Sequence, residues 1–110
     1  MIDWARVLEL RDEIGGDDFD EVVALFLSEV EERLEGLNAL KPATELCEDF
    51  HFLKGSALNL GFADFANLCH TGETETNNEE IMRISGMVHA AYARSKSAFL
   101  DNFEIHVRSG

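Results

Sequence analysis

Proline occurs once in this chain of 110 residues, at Pro42, and cysteine only twice, at Cys47 and Cys69. A single proline leaves long stretches free to form helix without a break. The two cysteines form no Cys-x-x-Cys pair and no disulfide framework. Strand signals are nearly missing, with no alternating run of β-branched residues and no Asn-Gly or Asp-Gly hairpin turn. No stretch approaches the roughly 20 apolar residues that cross a bilayer. The start, Met1-Ile2-Asp3-Trp4-Ala5-Arg6, lacks the basic region and apolar run of a signal peptide. Positive charge is scarce: 9 Lys and Arg stand against 22 Asp and Glu, a formal net charge of −13. Phosphate backbones and anionic lipid repel such a surface, which argues against nucleic acid and membranes as partners. There is no P-loop, no Gly-rich nucleotide motif and no acidic metal cluster near the histidine that stands out below. These absences predict a soluble cytoplasmic protein with no ATP site of its own.

What is present is helical periodicity. Apolar residues make up 45% of the chain, enough for one core at this length. The expectation is a single domain over residues 1–110, with a core over about 3–103 and a frayed tail over 104–110. A short helix runs from Asp3 to Glu13, with Trp4, Val7, Leu8 and the Arg11 stem on one side, and Gly15-Gly16 stops it. A second runs from about Asp18 to Leu40, capped by Asp17 or Asp18. Its stripe is Phe19, Val23, Phe26, Leu27, Val30, Leu34 and Leu37. Thr44 caps a third helix, ending near Asn59. A fourth covers about Phe62 to Thr71, with Phe62, Phe65, Ala66 and Cys69 inward. Residues from Gly72 to Asn78 read as a loop, and Asn77 with Glu80 resembles a capping arrangement. The last helix, about Asn78 to Phe103, carries Ile81, Ile84, Val88, Ala91, Tyr92, Ser95, Ala98, Phe99 and Phe103 at helical spacing. Four long amphipathic helices with short connections predict an all-α, antiparallel up-down four-helix bundle with a short extra N-terminal helix.

The third helix carries the chemistry. Leu46, Phe50, Leu53, Ala57 and Leu60 form its apolar stripe. His51 falls well off that stripe, with Lys54 one turn on and Gly55 beside it. Lys54 is the only lysine or arginine between Pro42 and Ile81. A helix-interior glycine costs roughly 1 kcal/mol relative to alanine, so Gly55 points to space that must stay clear. A solvent-facing imidazole, a nearby cation and a bare neighbour suit reversible attachment of a phosphoryl group.

The run His51-x-Leu53-Lys54-Gly55-Ser56-x-x-x-Leu60-Gly61 resembles the signature of histidine-containing phosphotransfer (HPt) domains of bacterial two-component phosphorelays. Ala63, Leu68, Cys69 and Glu73 fit the usual continuation, and Leu10, Gly15-Gly16-Asp17, Leu25-Phe26-Leu27 and Leu37 fit the lead segment. The chain departs from the pattern at Phe52, where a small or polar residue is frequent. It departs again at Thr71-Gly72, where leucine commonly precedes the acid. The first departure bears on partner choice, the second on how the fourth helix ends. The resemblance implies a phosphocarrier: His51 holds phosphate on Nε2, Lys54 pairs with its oxygens, and Gly55 lets the partner approach. It implies receiver domains and a sensor or hybrid histidine kinase as partners, with Mg²⁺ supplied by the receiver and no cofactor of the chain's own. Phe52, Ser56 and Leu58 are candidate docking residues around His51. The length favours a monomer, with the apolar last helix leaving dimerisation open.

Two rivals come from other classes. Cys47 and His51 at i and i+4 could chelate zinc, with Cys69 and His70 as further ligands. Adjacent residues on a helix point about 100° apart, however, so Cys69 and His70 converge poorly on one ion. The other rival is an adaptor or inhibitor bundle that binds receivers without phosphate chemistry. His70, His89 and His106 are expected to be solvated.

Overall fold

The computed structural model describes residues 2–38 and 40–103. Among them are five helices: α1 (Trp4–Ile14), α2 (Gly16–Glu35), α3 (Ala43–Leu60), α4 (Ala63–Thr74) and α5 (Asn78–Phe103). No strand forms among these residues, only an isolated bridge between Ile2 and Phe62. The protein is all-α. The expected tail, residues 104–110 with His106, lies outside the described residues.

Local chemistry sets the boundaries. Asp3 Oδ1 accepts from Arg6 N at 3.2 Å and caps α1. Gly15, at φ 97, lets the chain turn directly into α2. Asp17 and Asp18, expected as caps, stand in the first turn of α2, where they still complement the helix dipole. α2 stops at Glu35, short of the expected Leu40. Gly36 closes it and Asn38 turns the chain, its Oδ1 accepting from Leu40 N at 2.9 Å. Leu37 is buried all the same, from outside the helix. α3 begins at Ala43 with Pro42 at the cap position, so Thr44 falls inside the helix. Gly61 ends α3 at φ 77, and a Cβ there would stand 2.6 Å from Asp3 O. Both the backbone conformation and the close approach require glycine.

The largest departure is in α4. It runs past Thr71 through Gly72 to Thr74, so the expected loop shrinks to a short link before α5. Asn77 Oδ1 accepts from Glu79 N at 2.9 Å and Glu80 N at 3.1 Å and starts α5 where the capping pattern predicted.

All five stripe residues of α3 are buried, and Phe19, Phe50, Phe62, Phe65 and Phe99 are the largest of the fully buried side chains. Each such side chain stabilises the fold by about 1.5–3 kcal/mol through burial. The short lead helix is turned differently from expectation: Leu10 is buried and Leu8 exposed. On α5, Ala98 is exposed as well. α3 packs against α1, α2 and α4, while α4 also packs against α5. The helix bearing His51 is thus held on three sides. Among the described residues no helix is long and apolar enough to cross a membrane.

Candidate functional site

His51 leaves α3 on the side opposite its buried stripe, and its side chain is 71% exposed. Its Nδ1 lies 2.7 Å from Glu73 Oε1. Glu73 comes from the last turn of α4, the turn that replaces the expected loop. Its other oxygen, Oε2, forms an ion pair with Lys54 Nζ at 2.7 Å. His70 Nδ1 stands 4.0 Å from the same oxygen. One carboxylate therefore ties together the imidazole and the single lysine of this stretch. Lys54 foremost, and His51 next, hold the Glu73 carboxyl below the usual carboxylate range, against a smaller opposing effect of desolvation.

An ionised carboxylate only accepts hydrogen bonds, so Nδ1 carries the ring proton. In the neutral ring this leaves the lone pair on Nε2, and the side chain stands mostly in water. The pairing fixes which nitrogen is nucleophilic without burying it.

Around this ring the helix is bare. A Cβ on Gly55 would meet nothing within 4 Å, so no contact within the chain demands glycine there. Leu58, two turns from His51, is 57% exposed. Ser56, expected on the same docking face, is instead buried with the core side of α3. Phe52 is half-buried, and the Arg33 guanidinium lies 4.2 Å from its ring centroid. Arg33 and Lys41 both bond the buried Asp49, at 3.2 and 2.7 Å, which joins α2 and the following link to α3. Neither Arg33 nor Asp49 stood out in the sequence, because their pairing is long-range.

Cys47 Sγ donates to the Glu73 carbonyl at 3.2 Å. Cys69 is in the core, where burial above all, and the Glu73 charge next, push its thiol up to about 12. Among the described residues no group of three or more His, Cys, Asp or Glu is placed to hold a metal ion. His89 is exposed, as expected, and is also tied to the backbone. Its ring nitrogens lie 2.7 Å from Ser85 O and 3.1 Å from Leu34 O, bridging α5 to the end of α2.

The Hpt domain family pattern matches residues 21–95, more than half of the chain and including both His51 and Glu73. The chain belongs to the Hpt domain family. No curated protein and no solved structure matches it. Hpt domains take part in histidine phosphotransfer in two-component systems, as phosphocarriers rather than catalysts, together with kinases and response regulators. Within this Hpt domain the pattern drew attention to His51, Lys54 and Gly55. It marked Glu73 only as a continuation of the next helix, and its tie to His51 emerges from the packing of α4 on α3.

Proposed function

We propose that His51 is the phosphoacceptor of a phosphorelay. It takes a phosphoryl group from a phospho-aspartyl receiver domain or a histidine kinase and passes it to a response-regulator aspartate. The observation that carries this reading is the 2.7 Å contact between His51 Nδ1 and Glu73, which in the neutral ring puts the lone pair on Nε2 of a mostly exposed side chain. In the forward step this lone pair attacks the phosphorus of the aspartyl phosphate. The N–P bond forms, the P–O bond to the aspartate breaks, and the carboxylate leaves with the bonding pair. The ring keeps its Nδ1 proton and becomes cationic, and Glu73 stabilises that charge across a charge-assisted hydrogen bond. In the return step an aspartate oxygen of the next receiver attacks the same phosphorus: the new O–P bond forms, the N–P bond breaks, and its electron pair returns to Nε2, leaving the ring neutral.

Lys54 pairs with the phosphoryl oxygens as a point charge. The open side of Gly55 admits the partner's loops, and Leu58 supplies apolar contact. Phe52 lies at the edge of the docking face and tunes which receiver fits. The receiver brings the aspartate and Mg²⁺; positioning and charge neutralisation are most of what such a transfer needs. The helices follow an antiparallel up-down course, and the domain acts as a cytoplasmic monomer.

The test is a transfer assay with the receiver domains of the same organism, comparing wild type with His51→Gln. Label should move to the wild type and not to the variant, and ATP alone should label neither. Equal behaviour of the two proteins would overturn the reading in favour of an adaptor that binds receivers without phosphate chemistry.

A further inference from the structure

The last turn of α4 approaches α3 more closely than any side chain larger than hydrogen permits. A Cβ on Gly72 would stand 2.8 Å from Cδ1 and Cε1 of Phe50 and 2.9 Å from Cδ2. Phe50 is 0% exposed, so its ring is enclosed by the core, and a close-packed interior gives way only at a cost. Glycine inside a helix costs roughly 1 kcal/mol relative to alanine. Here the space it leaves is occupied by the aromatic ring.

The two residues flank the site. Phe50 immediately precedes His51, and Gly72 immediately precedes Glu73. A second grip reaches the same place: Cys47, one turn before His51, donates to the Glu73 carbonyl at 3.2 Å. Side chains of α3 therefore hold the backbone of α4 where the carboxylate leaves it.

We propose that Phe50 and Gly72 are positioning residues for phosphotransfer. The ring seated against the glycine fixes the spacing and register of the two helices, so that Glu73 reaches His51 Nδ1. Neither residue touches the phosphoryl group. The inference rests on the reading of His51 as phosphoacceptor. Its physical basis is the steepness of hydrogen bonding: an added separation of about 1 Å leaves no bond. A misplacement of that size costs up to roughly 100-fold in rate.

The experiment compares wild type, Gly72→Ala, Phe50→Leu and the double variant. Each is checked for folding by circular dichroism. One readout is ¹⁵N NMR of the His51 ring, which reports which nitrogen carries the proton. The other is the rate of His51 phosphorylation by phosphoramidate, in which the donor's P–N bond breaks, the Nε2–P bond forms and ammonia leaves. Gly72→Ala should lose the Nδ1–H preference and slow phosphorylation by roughly 10- to 100-fold. The double variant, with room restored, should regain both. A folded Gly72→Ala protein that keeps the wild-type ring signature overturns the proposal, as does a folded double variant that fails to regain it. Should Gly72→Ala not fold, Phe50→Leu decides: it opens a gap in place of a clash, and an unchanged ring signature overturns the proposal. A wild type that takes up no phosphoryl group overturns the phosphotransfer reading. A ring signature altered by Gly72→Ala then still supports the placement of Glu73, and an unaltered one overturns it.

Discussion

In the proposed transfer the chemistry of His51 turns on Glu73. It accepts from Nδ1, pairs with Lys54 and projects from the final turn of a helix. Replacing it with glutamine keeps the shape and removes the charge. A hydrogen bond to a charged group exceeds a neutral one by about 1 kcal/mol, and in the proposed transfer the ring gains its positive charge on accepting phosphate. Glu73→Gln should therefore slow phosphorylation of His51 roughly fivefold to tenfold, read in the phosphoramidate assay, with little loss of secondary structure. Leu58 tests the neighbouring surface. Because it is exposed, Leu58→Asp should leave the melting temperature nearly unchanged, as surface changes cost about 0.5 kcal/mol or less. Transfer from a cognate receiver should weaken, while phosphorylation by phosphoramidate should not. Normal receiver transfer by this folded variant would remove Leu58 from the proposed docking face.

Among the helices, a few polar contacts join elements beside the apolar core. Asp49 on α3 binds Arg33 of α2 and Lys41 of the following link, so one buried carboxylate holds the α2–α3 corner. Removing a partner from a fully buried pair costs about 3–5 kcal/mol. Arg33 and Lys41 keep contact with water, so Asp49→Ala should cost less, about 1–2 kcal/mol. Urea unfolding measures this. Phe52 should also lose its fixed cover, because Arg33 is then free to leave the ring. On the far side of α2, Glu31 Oε2 accepts from Tyr92 OH at 2.6 Å and Lys96 Nζ at 2.7 Å. That carboxylate pins α5 to α2.

For the molecule as a whole, acid is the sensitive direction. Lys96 and then Tyr92 lower the Glu31 carboxyl, Lys54 and then His51 lower that of Glu73, and backbone N–H groups of Asn77 and Thr76 lower that of Glu75. A carboxyl depressed in the folded state adds stability above its unfolded value, and that stability is lost as pH falls through the folded value. Thermal stability should therefore hold down to about pH 4.5 and decline below it, since unfolded carboxyls titrate near 4. Melting curves from neutral pH downward test this; Glu31→Gln should flatten the decline. A steady melting temperature down to about pH 2 would contradict it.

Much of this protein was legible in one dimension. Helical spacing exposed the stripe from Leu46 to Leu60, and with it the fact that His51 must point away from the core. Periodicity reports burial reliably because each buried turn repeats the same geometry. The Asn77 cap, a local signal, placed the start of α5. The sequence also determined Gly55 as a bare spot beside the ring and Lys54 as the one lysine or arginine of its stretch.

Only tertiary structure decided what Lys54 and His51 are bonded to. Glu73 lies 22 residues from His51, on a helix whose last turn looked like loop. Gly72 and the threonines around it have weak helix preference, and local propensity says nothing of the Phe50 ring waiting on the neighbouring helix. The burial of Ser56, the cover of Arg33 over Phe52 and the true end of α2 were hidden for the same reason. Each depends on side chains that meet across helices, and no spacing along a single chain encodes the distance between two of them.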